Sequence, residues 1–359
     1  MRNQENKAFL LLEDGSVYQG KAMGSQGKAM GIAVFNTAMV GYQELLTNPA
    51  NRGLLLTQTF PLTGNYGMNR DGWESGRAQA AGFIVREYCT LPSNYKCEGT
   101  IDDFLKEQGV VGICDIDTRH LTKTIREKGE MKAVIFSGGE LDRETLLAEL
   151  KGWNPEKPTA SAEKEIWGET GIPVAVLDFG MSRSMKEILL NHGMKLTVLP
   201  WNADAEEIKA LSPAGIFLSD GPGSPEDYPG APEKIRELIA LNLPMMGVSL
   251  GHQLLALANG MKVRRMLCGH RGGNQPVFCS ENGRTYITSQ NHGWVVDEES
   301  ADSAMCSVTF RNANDKTIEG LSYRNVPALS VQFLPDGENH NHTTAFLYEE
   351  FRKRMEAAQ

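Results

Sequence analysis

The sequence predicts an α/β protein of two domains, the second built on a mostly parallel sheet. Three observations carry this reading. The chain has 359 residues, 41% of them hydrophobic, enough for two domains with cores of their own. Past residue 171, the apolar runs "PVAVLDFG", "KLTVLPW" and "AGIFLSDG" alternate with the amphipathic stretches "RSMKEILLNHG" and "AEEIKAL". That is the pattern of strands covered by helices on both faces. From 151 to 171, "KGWNPEKPTASAEKEIWGETG" is polar, carries two prolines and lacks periodicity, as a linker does. The domains are therefore placed at 1–150 and 172–359, with 151–171 as the linker.

The first domain reads as mixed α/β. In "AFLLLEDGSVYQGKAMG" a strand breaks at Asp14 and Gly15 and an alternating strand follows, which predicts a hairpin. Further on, "TIDDFLKEQGVVGICDIDTRHLTKTIREKG" gives a helix, a short strand around Val110 to Ile113, and a second helix stopped at Gly129. Arg119 in this segment is read as an ion-pair partner of Asp115 or Asp117, with no chemistry of its own.

In the second domain, "PMMGVSLGHQLLALANG", residues 244–260, reads as a buried strand, a Gly-x-Ser-x-Gly turn and a helix. Leu250, Leu254, Leu255 and Leu257 supply that helix's apolar positions and Gly260 its stop. This is the shape of a nucleophile elbow. Gly247 and Gly251 let the backbone bend sharply enough to push Ser249 outward, and the first helical amides can face an oxyanion. In a parallel sheet, functional loops lie at the carboxyl ends of the strands. The loop "SDGPGSPED" after Leu218 is therefore the second candidate.

The formal net charge of -9 argues against nucleic acid or an anionic membrane surface as partner. The six cysteines, at 89, 97, 114, 268, 279 and 306, lack the close paired spacing of a zinc site and read as reduced thiols. The opening "MRNQENKAFLLLEDGS" has too short an apolar run for a signal-peptide core, and no window approaches a membrane span. The expected location is cytoplasmic.

Taken in order, "LSDGPGSP", "GVSLGHQLLALANG", "GHRGGNQPV", "ITSQNHGWVVD" and "LSVQFLPDG" make the second domain resemble the class I glutamine amidotransferases, most closely the small subunit of carbamoyl phosphate synthetase. The first domain's "VFNTAMVGYQELLTNPA", "TFPLTGNYG" and "DIDTRHLT" resemble that subunit's amino-terminal domain. The resemblance implies a flavodoxin-like, mostly parallel sheet in the second domain and a large synthetase subunit as partner. It also implies ATP and Mg bound only on that partner, with no cofactor or metal in this chain.

The resemblance further implies a triad: a cysteine at the elbow that attacks the glutamine amide, a histidine base after a late strand, and a glutamate two residues later. This chain has Ser249, Leu334 and Asp336 at those positions, so all three depart from the pattern. A serine hydroxyl needs a positioned base to react, and leucine offers no nitrogen. Because triad members act as a unit, losing one costs about as much as losing all, roughly a millionfold in one serine protease. The glutamine contacts would fall on Ala38, Gly221, Gly223, Leu250, Gln253, Asn291, Gly293 and Trp294. Ala38 stands where the family usually has a serine, and the loss of one hydrogen bond costs about 0.5–1.5 kcal/mol. The family's lysine near Ser182 is also missing.

The resulting expectation is a non-hydrolysing homologue that binds and stabilises or regulates a synthetase using free ammonia. Two alternatives stand beside it: a serine hydrolase or amidase using Ser249 with His340 or His342 as base, and a non-catalytic glutamine-binding protein. Those two histidines with Asp336 or Glu338 also offer a metal set, against which stands a solvated loop. His252 and His292 are read as packed or interface residues rather than catalytic ones. The glycines of "GHRGGNQPV" mark either a close approach facing the large subunit or a plain hairpin turn.

Overall fold

The computed structural model describes residues 7–158, 164–335 and 344–358. The chain divides into two compact units, Met1–Glu156 and Lys157–Gln359.

In the first unit, β1 (Lys7–Leu12), β2 (Val17–Gly24), β3 (Lys28–Asn36), β4 (Leu54–Gln58), β5 (Leu62–Thr63), β6 (Gly82–Ile84), β7 (Glu87–Tyr88), β8 (Val111–Cys114) and β9 (Met131–Ser137) alternate with short helices. Seven of these strands close into a barrel in the order β1-β2-β8-β6-β4-β3-β9, while β5 and β7 form a separate pair. The two-residue period of a strand is visible in β1. Ala8, Leu10 and Leu12 enter one apolar cluster with Ile84, Ile113 and Ile135, whereas Leu11 packs with Leu146 and Leu150. The helices are α1 (Tyr42–Thr47), α2 (Ile101–Glu107), α3 (Thr118–Lys128) and α4 (Arg143–Gly152). Helix α2 starts on a reciprocal cap in which the Asp103 amide donates to Thr100 Oγ1 at 3.1 Å and the Thr100 amide donates to Asp103 Oδ2 at 3.3 Å.

Arg119 pairs with neither aspartate. Asp115 is held by Lys21 at 3.0 Å, and Asp117 caps α3 by accepting from the His120 amide at 2.9 Å. The capping geometry consumes the carboxylate that the sequence offers to Arg119.

The second unit runs β10 (Glu165–Trp167), β11 (Ile172–Asp178), α5 (Arg183–Asn191), β12 (Met194–Pro200), α6 (Ala205–Ala210), β13 (Gly215–Leu218), α7 (Ala231–Ile239), β14 (Met245–Val248) and α8 (Leu250–Ala258). It continues with β15 (Val263–Cys279), β16 (Thr285–Val296), β17 (Cys306–Asn312), β18 (Ile318–Tyr323), β19 (Ala328–Val331) and α9 (Phe346–Ala358). One sheet holds them in the order β10-β12-β11-β13-β14-β19-β18-β17-β15-β16. The five strands β12-β11-β13-β14-β19 are parallel to one another. Its flanks, β10 at one edge and β18 to β16 at the other, pair antiparallel.

Successive residues of β11 serve opposite faces. Ala175 and Leu177 pack with Ile235 and Leu238 of α7 and Leu254 of α8, while Val174 and Val176 pack with Leu189 of α5 and Phe351 of α9. Helices on both faces explain why the central strands β11, β13 and β14 are almost wholly apolar, while β12 carries Lys195 and Thr197.

"GHRGGNQPV" is not a turn. It lies inside β15, which pairs with β16 across irregularities between Arg265 and His270 and between Gly272 and Gln275. The glycines serve these bulges, with Gly272 at φ 139°, and the chain reverses only after Cys279. Among the described residues, no helix is long and apolar enough to cross a membrane.

Candidate active site at the strand-helix elbow

Ser249 stands between β14 and α8 with φ 51° and ψ −105°, a left-handed conformation that costs a β-substituted residue about 1–3 kcal/mol and persists only where the surroundings impose it. The surroundings do so here. The Ser249 amide donates to Val331 O of β19 at 2.8 Å, its carbonyl accepts from the Gln253 amide at 3.1 Å, and the Gly251 amide donates to Ser219 O at 3.0 Å.

Both flanking glycines are obligatory for steric reasons. A Cβ on Gly251 would lie 2.2 Å from Leu218 O, and one on Gly247 would lie 2.8 Å from Gly251 O. The Leu250 amide, first of the helix, has no backbone acceptor among the described residues, the arrangement of an oxyanion donor.

The loop after β13 is held as firmly. Ser219 Oγ accepts from the Phe179 amide at 3.0 Å and donates to Asp220 O at 2.7 Å. The Tyr228 hydroxyl faces Pro222 O at 2.9 Å and Phe179 O at 3.1 Å. Gly221 passes so close to Phe179 that a Cβ would meet its carbonyl oxygen at 2.5 Å. Gly223 turns at φ 79°, and Asp227 Oδ2 accepts from the Ser224 amide and hydroxyl at 2.8 and 2.9 Å. A ligand approaching this loop would meet prearranged backbone.

No base completes the elbow among the described residues. Ser249 makes no side-chain capping bond. Leu334, at the family's base position, is buried in the apolar cluster that contains Met181, Val248, Val331 and Phe333, and its amide donates to Ser289 O at 2.9 Å. Asp336, Glu338, His340 and His342 lie outside the described residues. The arrangement presents a hydroxyl and the Leu250 amide, and no described residue takes the hydroxyl's proton.

The glutamine-contact positions divide between the units. In the second unit, Gln253 is buried on α8 and donates both amide hydrogens internally, to Trp294 O and to Gln332 Oε1, each at 3.1 Å. Only its Oε1 is left for a ligand. Asn291, Gly293 and Trp294 lie on β16, with Asn291 opposite Arg271 and Trp294 opposite Arg265 of β15. Ser182 caps α5 by accepting from the Met185 amide at 3.3 Å. In the first unit, Ala38 is buried just after β3. Its amide donates to Asn36 Oδ1 at 2.8 Å and its carbonyl accepts from Gln58 Nε2.

His252 is fully buried, with Nδ1 2.7 Å from Ser330 Oγ, and burial holds its imidazole down to about 3. It is a packed residue, as read from its place next to Gln253. His292 is buried on β16 beside Gln290 and Trp294, and burial holds it well below the ordinary histidine range.

Sequence reading missed the polar layer behind the elbow: Ser330, Gln332, Glu319 and Gln290, all buried. The signal was present in "LSVQF", where Ser330 and Gln332 alternate with apolar residues in a run that is otherwise core.

Comparison with known proteins identifies the family. Residues 10–135 match the family model for the carbamoyl-phosphate synthase small chain, CPSase domain, and residues 175–354 match glutamine amidotransferase class-I. The chain is similar to the carbamoyl phosphate synthase small chains of Syntrophotalea carbinolica, 43% identical with 98% of each chain covered, and of Clostridium acetobutylicum, 42% identical with 96% of this chain and 99% of the relative covered. It is also 42% identical to the pyrimidine-specific small chain of Lactiplantibacillus plantarum, covering 98% of this chain and 97% of that one.

Proposed function

The chain belongs to the carbamoyl-phosphate synthase small-chain family, and from that premise we propose that it is a non-hydrolysing member acting as partner or regulator of a large synthetase subunit. The observation that carries the proposal is Leu334, an apolar core residue at the position where the family places its imidazole base. Without a base, Ser249 keeps a hydroxyl that does not ionise near neutrality. The oxyanion donor and the loop at 219–224 alone support a residual of about 10³–10⁴-fold over water.

In this reading the large subunit binds ATP and Mg and uses free ammonia with bicarbonate, in the cytoplasm, and this chain contributes no cofactor to that reaction. The well-formed elbow and loop are then retained as part of a scaffold that the partner needs. The relatives named as small chains support such a partner, and the full-length match supports an interface spread over the same framework.

The test is ammonia release from glutamine by the purified chain, alone and with a matching large subunit, beside a Ser249→Cys/Leu334→His double variant. Silence from the native chain with activity from the double variant supports the proposal. Hydrolysis by the native chain at an ordinary enzymatic rate overturns it.

One observation favours a second reading. The positive φ of Ser249 is the conformation of a working elbow nucleophile, and a serine hydrolase with His340 or His342 as base would use it. Labelling by a fluorophosphonate probe that disappears in Ser249→Ala supports this alternative. An unlabelled native chain removes it.

A further inference from the structure

We infer that His270, His292 and Glu319 form a binding site for a divalent transition-metal ion of the zinc type, behind the elbow and separate from it. The residues sit on three strands, β15, β16 and β18, and their ligand atoms all lie within 4.8 Å of one another. The donor facing each partner is identifiable.

His292 Nδ1 lies 3.0 Å from Trp294 O. The ring's Nε2 faces a second acceptor, Gln290 Oε1, at 3.1 Å, so with the hydrogen kept on Nδ1 toward the carbonyl, Nε2 offers its lone pair to an ion once the Gln290 side chain turns away. His270 has its Nε2 3.0 Å from Asp315 Oδ2, which leaves Nδ1 as the inward donor atom. Each imidazole is thus held at its far nitrogen by a carbonyl or a carboxylate, the outer-shell pattern that orients metal-bound histidines.

Glu319 completes the set. It is fully buried, with Oε1 3.4 Å from His270 Nδ1, and its Oε2 is buried without a hydrogen-bond partner. An unsatisfied carboxylate oxygen in the interior is costly, and a cation would satisfy it. Donors on a tetrahedral ion at 2.0–2.1 Å sit about 3.3 Å apart, close to the separation already present between His270 and Glu319. Two other groups occupy these atoms now: Gln290 Oε1 lies 3.1 Å from His292 Nε2, and Asn312 Nδ2 lies 3.4 Å from both His270 Nδ1 and Glu319 Oε1. The ion replaces these contacts.

Two imidazoles and one carboxylate make a borderline N₂O set with a fourth position open, which suits Zn²⁺ better than Mg²⁺ or Ca²⁺. His270, the ligand that retains some exposure, marks the side of entry. The consequence reaches the elbow, because Trp294 O accepts from both His292 Nδ1 and Gln253 Nε2 of α8. An ion here braces three strands behind the elbow helix. It also departs from the sequence expectation of a chain without metal.

The experiment uses the full chain after chelator treatment. Zn²⁺ alone is titrated by calorimetry, and Co²⁺ alone by visible absorption. The native chain is expected to bind one equivalent at micromolar Kd or tighter, with the intense visible bands of four-coordinate Co²⁺ and a Zn²⁺-dependent rise in Tm. Glu319→Gln is expected to weaken binding by at least about a hundredfold and Asp315→Asn by about 10- to 100-fold. A His340→Gln/His342→Gln double variant should leave the stoichiometry unchanged. His270→Asn, at the less buried ligand, gives the same readout if Glu319→Gln fails to fold. Binding no tighter than millimolar overturns the inference. So does binding that survives Glu319→Gln but is lost in the His340/His342 variant, or a thiolate-to-cobalt absorption band that assigns the ion to cysteines.

Discussion

Ser249 and Leu334 show how much one side chain decides. The serine is held in a nucleophile's conformation, while the position that would serve it is filled by an apolar residue of the core. Ser249→Cys/Leu334→His is therefore expected to raise glutamine hydrolysis by at least about a hundredfold over the native chain, since a positioned base contributes about 10²–10⁴. Ammonia release measures it. The same variant is expected to lose stability by about 2 kcal/mol, because an imidazole replaces buried leucine surface, and urea unfolding measures that. All three triad substitutions were legible as letters. That Leu334 is core was not, because burial depends on which elements close over a residue and not on its neighbours in sequence.

At the level of elements, the elbow is a packing solution in which β14, α8 and the loop after β13 share one small volume. Gly251→Ala is expected to destabilise the protein by about 1–3 kcal/mol, because its Cβ would meet a backbone oxygen at 2.2 Å rather than a yielding side chain. A chemical-denaturation midpoint tests this. The helix behind the elbow also carries a pH dependence. His252 is buried neutral, with its folded pKa held down to about 3, against about 6.5 in an unfolded chain. Below pH 6.5 the unfolded state takes up a proton that the folded state refuses, so stability falls as pH falls, by up to about 1.4 kcal/mol per unit until the folded value is reached. Urea midpoints between pH 7 and pH 4 should fall less steeply in His252→Asn than in the native chain. Equal slopes would contradict this account. The elbow's Gly-x-Ser-x-Gly pattern and its strand-helix order were readable because they are local. The bulged β15 was not, because its glycines resemble a turn until a partner strand is seen to run through them.

Across the whole molecule, the barrel in the first unit and the ten-stranded sheet in the second each bury their own apolar clusters. Residues 154–157 between them are exposed. Limited digestion with a glutamate-specific protease is expected to cut after Glu156 and leave fragments matching the two units, which mass spectrometry reads directly. Early cuts inside β11 to β14 would contradict the division. The alternation of strands and helices, the elbow and the family motifs follow from the chain alone, since each is carried by residues within about twenty positions of one another; the linker read at 151–171 was too long, because α4 runs to Gly152 and β10 at 165–167 pairs with β12. Closure of the barrel, the antiparallel extension from β15 to β18, and the meeting of His270, His292 and Glu319 required the folded molecule. Those contacts depend on which strands pair across the sheet and barrel, which no single stretch of sequence specifies.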